Sequence, residues 1–153
     1  MKLKLLLAAA VLATSAFANS ATLAWVPYDD CSLVTAPHVY SDGVAAINLT
    51  PAGDLWIALP GKVAFVQERK SKEMLRDKVL TINGLKLKAA SQYYPDSDLV
   101  LIGPYTPEGI KEFRAKMLPG GDVTIKYNHK VIEAKFPPLS EGEKALADCK
   151  KPI

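Results

Sequence analysis

Only two cysteines and two histidines occur in the 153 residues. So few exclude a disulfide-dense miniprotein and a four-cysteine zinc site. The spacings H-E-x-x-H, C-x-x-C and G-x-S-x-G are missing, as is a full EF-hand loop, so no metalloprotease, thiol-redox, serine-hydrolase or calcium-loop signature is present. No later apolar stretch matches the nine residues from Leu5 to Ala13, and a membrane span needs about 20. Neither sign of charge dominates, with 19 basic residues against 16 acidic ones. Such a balance gives no reason to propose nucleic acid or an anionic membrane as the main partner. What is there, 49% hydrophobic and 23% charged residues, belongs to one globular domain.

The beginning carries an address. Met1-Lys2-Leu3-Lys4 precedes the apolar run, and Ala16-Phe17-Ala18 follows it before Asn19. A basic start, a short apolar core and an A-x-A ending match a secretory signal peptide, residues 1–18, cleaved after Ala18. Lys2 and Lys4 leave with it, so the mature domain, 19–153, keeps 17 basic residues against 16 acidic ones. The expected location is the periplasm or the exterior of a bacterium. In an oxidising compartment, two cysteines near opposite ends of the mature chain are most simply one disulfide, Cys31 to Cys149.

Periodicity predicts a mainly β (α+β) fold: an antiparallel sheet or β-sandwich with two short helices, one C-terminal. Strands are expected at Thr22 to Tyr28, Val44 to Leu49, Asp54 to Leu59, Lys62 to Gln67 and Leu99 to Ile102. Asp29 to Gly43 reads as loop with brief extended parts, and a short helix is expected around Met74 and Leu75. Asn83-Gly84 between alternating runs predicts a type I′ hairpin, with Leu80, Ile82, Leu85 and Leu87 on one face. Thr106-Pro107-Glu108 opens a helix that Pro119-Gly120-Gly121 ends. Val123 to Tyr127 and Val131 to Phe136 form a second hairpin around Asn128-His129-Lys130. Ser140 and Glu143 have the spacing of a capping box for a closing helix that carries Cys149.

Chemistry-bearing residues are sparse. His38, with Asp29, Asp30 or Asp42 as orienting acid and Ser32 or Ser41 as nucleophile, is the one hydrolytic arrangement that can be drawn. Asp29, Asp30, His38 and Asp42 also make the one drawable metal set, without a recognised spacing. His129 reads as a turn residue. The segment Ser91 to Asp98, with Gly103 to Thr106, gathers three of the six tyrosines in or near expected loops. Tyrosine joins a large apolar face to a polar tip, which favours it at binding surfaces. Tyr93, Tyr94, Asp96, Asp98 and Tyr105 are therefore the candidate binding residues. No metal or cofactor is implied.

From Asn83 onward the order is an I-N-G hairpin, a T-P-E-G-I helix, two strands and a terminal S-x-G-x-x-A-L-x-x-C segment. Its last portion, Phe136 to Leu146, resembles the end of exported bacterial proteins of the invasion-associated locus B type. The resemblance implies a periplasmic β-sandwich with a binding or envelope-associated role, and no enzymatic activity. The expectation that follows is a non-catalytic binding module (inhibitor, immunity or envelope-accessory protein) that docks a periplasmic or envelope protein through loops. A small secreted hydrolase using His38 is the alternative.

Overall fold

Antiparallel pairing runs through the described residues. The computed structural model describes residues 23–36, 39–40 and 45–150. Ten strands form one sheet: β1 Ala24–Asp29, β2 Ser32–Ala36, β3 Val39–Tyr40, β4 Ala46–Leu49, β5 Leu55–Pro60, β6 Leu75–Ile82, β7 Leu85–Tyr94, β8 Leu99–Pro104, β9 Gly121–Tyr127 and β10 Lys130–Phe136. Three helices interrupt them: α1 Val66–Lys70, α2 Pro107–Met117 and α3 Leu139–Cys149. The spatial order is β1-β2-β4-β5-β8-β7-β6-β9-β10-β3. The expected mainly β architecture with a C-terminal helix is present.

The sheet rolls up on itself. β3 pairs with β10 at one edge, yet follows β2 near the other edge after only two intervening residues. Ala36 and Val39 are three residues apart, a reach of at most about 11 Å. The end of β2 and the start of β3 therefore lie within that reach, and the inward side chains of both halves share one core, from Ile47 and Ile57 to Ile125 and Ile132.

Turn chemistry sets the register. Asn83 and Gly84 both take positive φ, as a type I′ turn demands. Leu80 and Ile82 are fully buried, Leu87 nearly so, and Leu85 partly. Asn128-His129 closes the β9–β10 hairpin with two positive φ values as well. The β1–β2 turn uses the same geometry at Asp30 and Cys31. Neither of those is glycine, so this strand pair escaped the sequence reading, which placed β2 inside a loop.

Four further expectations fail. Lys62 to Gln67 is not a strand but a 3-10 turn at Gly61–Val63 followed by α1. Met74 and Leu75 lie not in a helix but at the entry to β6. Ser91 to Tyr94 is not loop but the last part of β7, paired with β8. Thr106 does cap α2, its Oγ1 accepting from the Gly109 N–H at 3.1 Å. Ser140 does not cap α3, which begins one residue earlier after Pro138. Glu143 instead pairs with Arg114 of α2.

The predicted disulfide is formed. Cys31 at the β1–β2 turn bonds Cys149 at the end of α3, with Cα atoms 5.8 Å apart and a separation of 118 positions in sequence. α3 packs on β1 and β2. There the Trp25 indole donates to the Pro138 carbonyl at 2.9 Å and lies against Gly142.

Candidate functional site

Alternation across the paired strands divides the sheet into an inner and an outer face. Ile47, Ile57, Ile102 and Ser91 share a register row on the inner side. Rows on the outer side differ sharply from one half of the sheet to the other. Toward β6, β9 and β10 each outward pair includes a charged residue, with Lys88 facing Val79, Lys86 facing Thr81, Lys126 facing Val131, Glu133 facing Thr124 and Lys135 facing Asp122. Toward β1, the outward positions are Val26, Val34, Asn48, Trp56, Ala58, Leu99 and Leu101. None of these is charged; Asp29, facing Ser32 at the β1–β2 turn, is the charged residue at that end.

The uncharged half is grooved. One cleft of about 350 Å³ and one of about 470 Å³ share Tyr28, Asn48, Tyr94 and Leu101, so they form a continuous trough. Such volumes fall in the range of ligand sites. Gly103 shapes its floor. A Cβ there would lie 3.1 Å from Cε3 of Trp56 and 3.0 Å from the Leu55 carbonyl oxygen. Without it, the indole lies across β8 and one flank stays open to the trough. Trp56 and Met74 also border a third cleft of about 240 Å³, which reaches Tyr105 and α2. Charge enters there through Asp54, Arg76 and Arg114, and at the other end, beside Tyr28 and Leu33, through Asp29 and Asp30. Arg114 is already engaged, donating to the Gly53 carbonyl at 2.7 Å and pairing with Glu143.

The five candidate binding residues are split by this geometry. Tyr94, 40% exposed, lines the trough. Tyr93 points to the other face, where its hydroxyl donates to Asp98 at 2.8 Å and Arg69 sits 5.6 Å from its ring centre. The hydrogen bond to Asp98 is the main cause that raises the Tyr93 hydroxyl above its ordinary value. Asp98 also accepts the Gly61 N–H through its backbone oxygen at 2.7 Å. Asp96 is exposed in the same turn. Tyr105 follows the far end of β8. Since Tyr94 faces Leu99 while Ala89 faces Pro104, five register steps, about 17 Å, separate those ends. One tyrosine surface is therefore not formed.

Asp29 and Asp30 are exposed at the β1–β2 turn beside the disulfide. His38, Ser41 and Asp42 lie outside the described residues, and Ser32 borders the trough. Among the described residues no three His, Cys, Asp or Glu side chains converge as metal ligands.

A second polar centre lies on the inner side and escaped the sequence reading altogether. Glu68 of α1 is 2% exposed. Its carboxylate accepts from the Tyr127 hydroxyl at 2.5 Å, the Ser91 hydroxyl at 3.2 Å, the Asn128 amide and the Phe65 N–H at 3.2 Å. Lys78 Nζ lies 3.2 Å away. Burial pushes the Glu68 carboxyl up. The bonds from Tyr127, Asn128 and Phe65, with the Lys78 charge, outweigh it and hold the group below its ordinary value. Burial, then the bond to Glu68, pushes the Tyr127 hydroxyl well up. None of the residues lining the trough belongs to this cluster, so it ties α1 to the sheet and leaves the trough untouched.

The trough had a signal in the sequence. A strand with one wet face alternates, whereas Trp56-Ile57-Ala58-Leu59 and Leu99-Val100-Leu101-Ile102 are apolar throughout. Both faces of such strands seek cover. Compared with known proteins, the chain matches no family model, no curated protein and no solved structure.

Proposed function

We propose that this chain is an exported binding module, working in the periplasm or outside the cell after cleavage near Ala18, that docks an envelope protein on the uncharged trough. The single observation that carries it is the outer half-sheet itself: Trp56, Leu99, Leu101 and Tyr94 side by side, half-buried or exposed, with no charged side chain among the described residues that line the trough. Contiguous apolar surface of this kind on an outer face marks an interaction site. Support also comes from the disulfide, which suits an oxidising compartment. The similarity of Phe136 to Leu146 to the invasion-associated locus B type agrees with an envelope-associated role. Docking shifts from the loops to the sheet face, with Tyr94 the one candidate tyrosine that borders the trough proper.

The test is affinity capture from an envelope extract with the disulfide-bonded mature chain as bait, beside Trp56→Arg and a Lys88→Glu control. A species retained by the wild type and the control but lost with Trp56→Arg is the expected outcome. Capture that ignores Trp56→Arg, or no specific capture at all, overturns the proposal.

A further inference from the structure

We infer that the segment seated in the trough is an extended, uncharged stretch of the partner polypeptide, its apolar side chains on Trp56, Leu99 and Leu101 and its backbone met by Asn48 and Gln92. This deepens the protein-docking proposal above and rests on it.

Charge argues first. Among the described residues no charged side chain lines the two joined clefts. An acidic or basic residue laid there would lose water without gaining a counter-ion, which is costly. The matching surface is therefore neutral. Charge begins at the margins of the trough, at Asp54 and Arg76 beyond Trp56 and Met74 and at Asp29 and Asp30 beyond Tyr28, and continues farther off at Lys86, Lys88 and Lys126.

The amides argue second. Asn48 and Gln92 are half-buried at outward positions of β4 and β7. Among the described residues neither side chain has a hydrogen-bond partner. Each offers one acceptor and two donors, and covering them with a purely apolar surface would strand those groups. An extended backbone supplies alternating C=O and N–H groups and strands none. The register puts Asn48 in the row of Trp56, and Gln92 in the row of Leu101 and Ala58. That is three strand spacings across and two residues along, about 16 Å, which five residues of extended chain cover.

Area argues against a second copy as occupant. Five strands by about five residues is a patch of roughly 400 Å², half of what each partner contributes to a standard stable interface, about 800 Å².

The experiment pans a random 12-residue phage-displayed peptide library on the disulfide-bonded mature chain, then measures the selected synthetic peptides by calorimetry. Selected sequences are expected to share an uncharged, largely apolar run of about five residues. Their affinity should fall at least tenfold on the double change Asn48→Ala with Gln92→Ala, and on Trp56→Arg. The amide variant should unfold at the wild-type temperature, because those amides hold nothing within the described fold. Peptides with charged consensus runs, or an affinity for the amide variant within twofold of wild type, overturn the inference. So does maltohexaose or cellohexaose displacing the peptides, or a sedimenting dimer that Trp56→Arg dissolves. Peptides that ignore all three changes while the capture above remains Trp56-dependent sink the extended segment alone. Loss of Trp56-dependent capture sinks the docking proposal itself.

Discussion

Removing the carboxylate of Glu68 would leave the Tyr127, Ser91 and Asn128 donors and the Lys78 ammonium facing one another in the interior. Glu68→Ala should therefore destabilise the fold by about 3 kcal/mol in urea unfolding, the usual cost of breaking a buried charged network by one partner. A pH dependence accompanies it. The Glu68 carboxyl is held below its ordinary value in the folded state, so the unfolded chain binds the extra proton. Its stabilisation is complete above about pH 5 and is lost as pH falls through the carboxylate range toward the folded value. Glu68→Gln should flatten the fall in unfolding free energy between roughly pH 5 and pH 3. An unchanged slope would mean that the Glu68 carboxyl titrates alike in the folded and unfolded chains. None of this was legible from residues in order. Glu68 sits in a mixed-charge stretch that reads as a wet face, and its donors lie 23, 59 and 60 positions away.

The elements were legible where turn chemistry and pattern agree, as at Asn83-Gly84 and at Thr106-Pro107-Glu108. They were misread where distant groups decide. Val63, Phe65 and Gln67 alternate like a strand. The chain instead turns into α1, because Glu68 finds its partners inside and Arg69 reaches back to the Gly61 carbonyl at 2.7 Å. The expected Ser140–Glu143 box gave way for a similar reason, Glu143 being held by Arg114. α3 also offers a test in which propensity and packing oppose each other. Gly142→Ala favours a helix by about 1 kcal/mol. The added Cβ would lie 2.6 Å from the Trp25 ring, and overpacking of that kind costs roughly 1–3 kcal/mol. Packing should win. A lowered melting temperature with a shifted Trp25 emission is expected, and a raised melting temperature would show that α3 moves freely on β1.

At the scale of the molecule, the disulfide joins the first hairpin to the last helix across 118 residues. Closing so long a loop restricts the unfolded chain by about 5 kcal/mol in the chain-entropy account, an upper figure. Cys31→Ser with Cys149→Ser should lower unfolding free energy by roughly 2–5 kcal/mol, read by urea titration against the oxidised wild type. The export proposal has its own check. Protein recovered from its native location should begin at Asn19 and show no free thiol on alkylation; an intact Met1 terminus with two reactive thiols would refute it.

The order of residues determined the mainly β character, the I′ hairpin, the capped helix α2 and which two cysteines pair. Each of these depends on near neighbours, or on there being a single choice. The rolled sheet, the Glu68 cluster and the neutral trough were decided only in three dimensions. Alternation states which residues share a face of one strand, but strand order and register state which strands lie side by side. Only that adjacency joins Trp56, Leu101 and Asn48 into one surface.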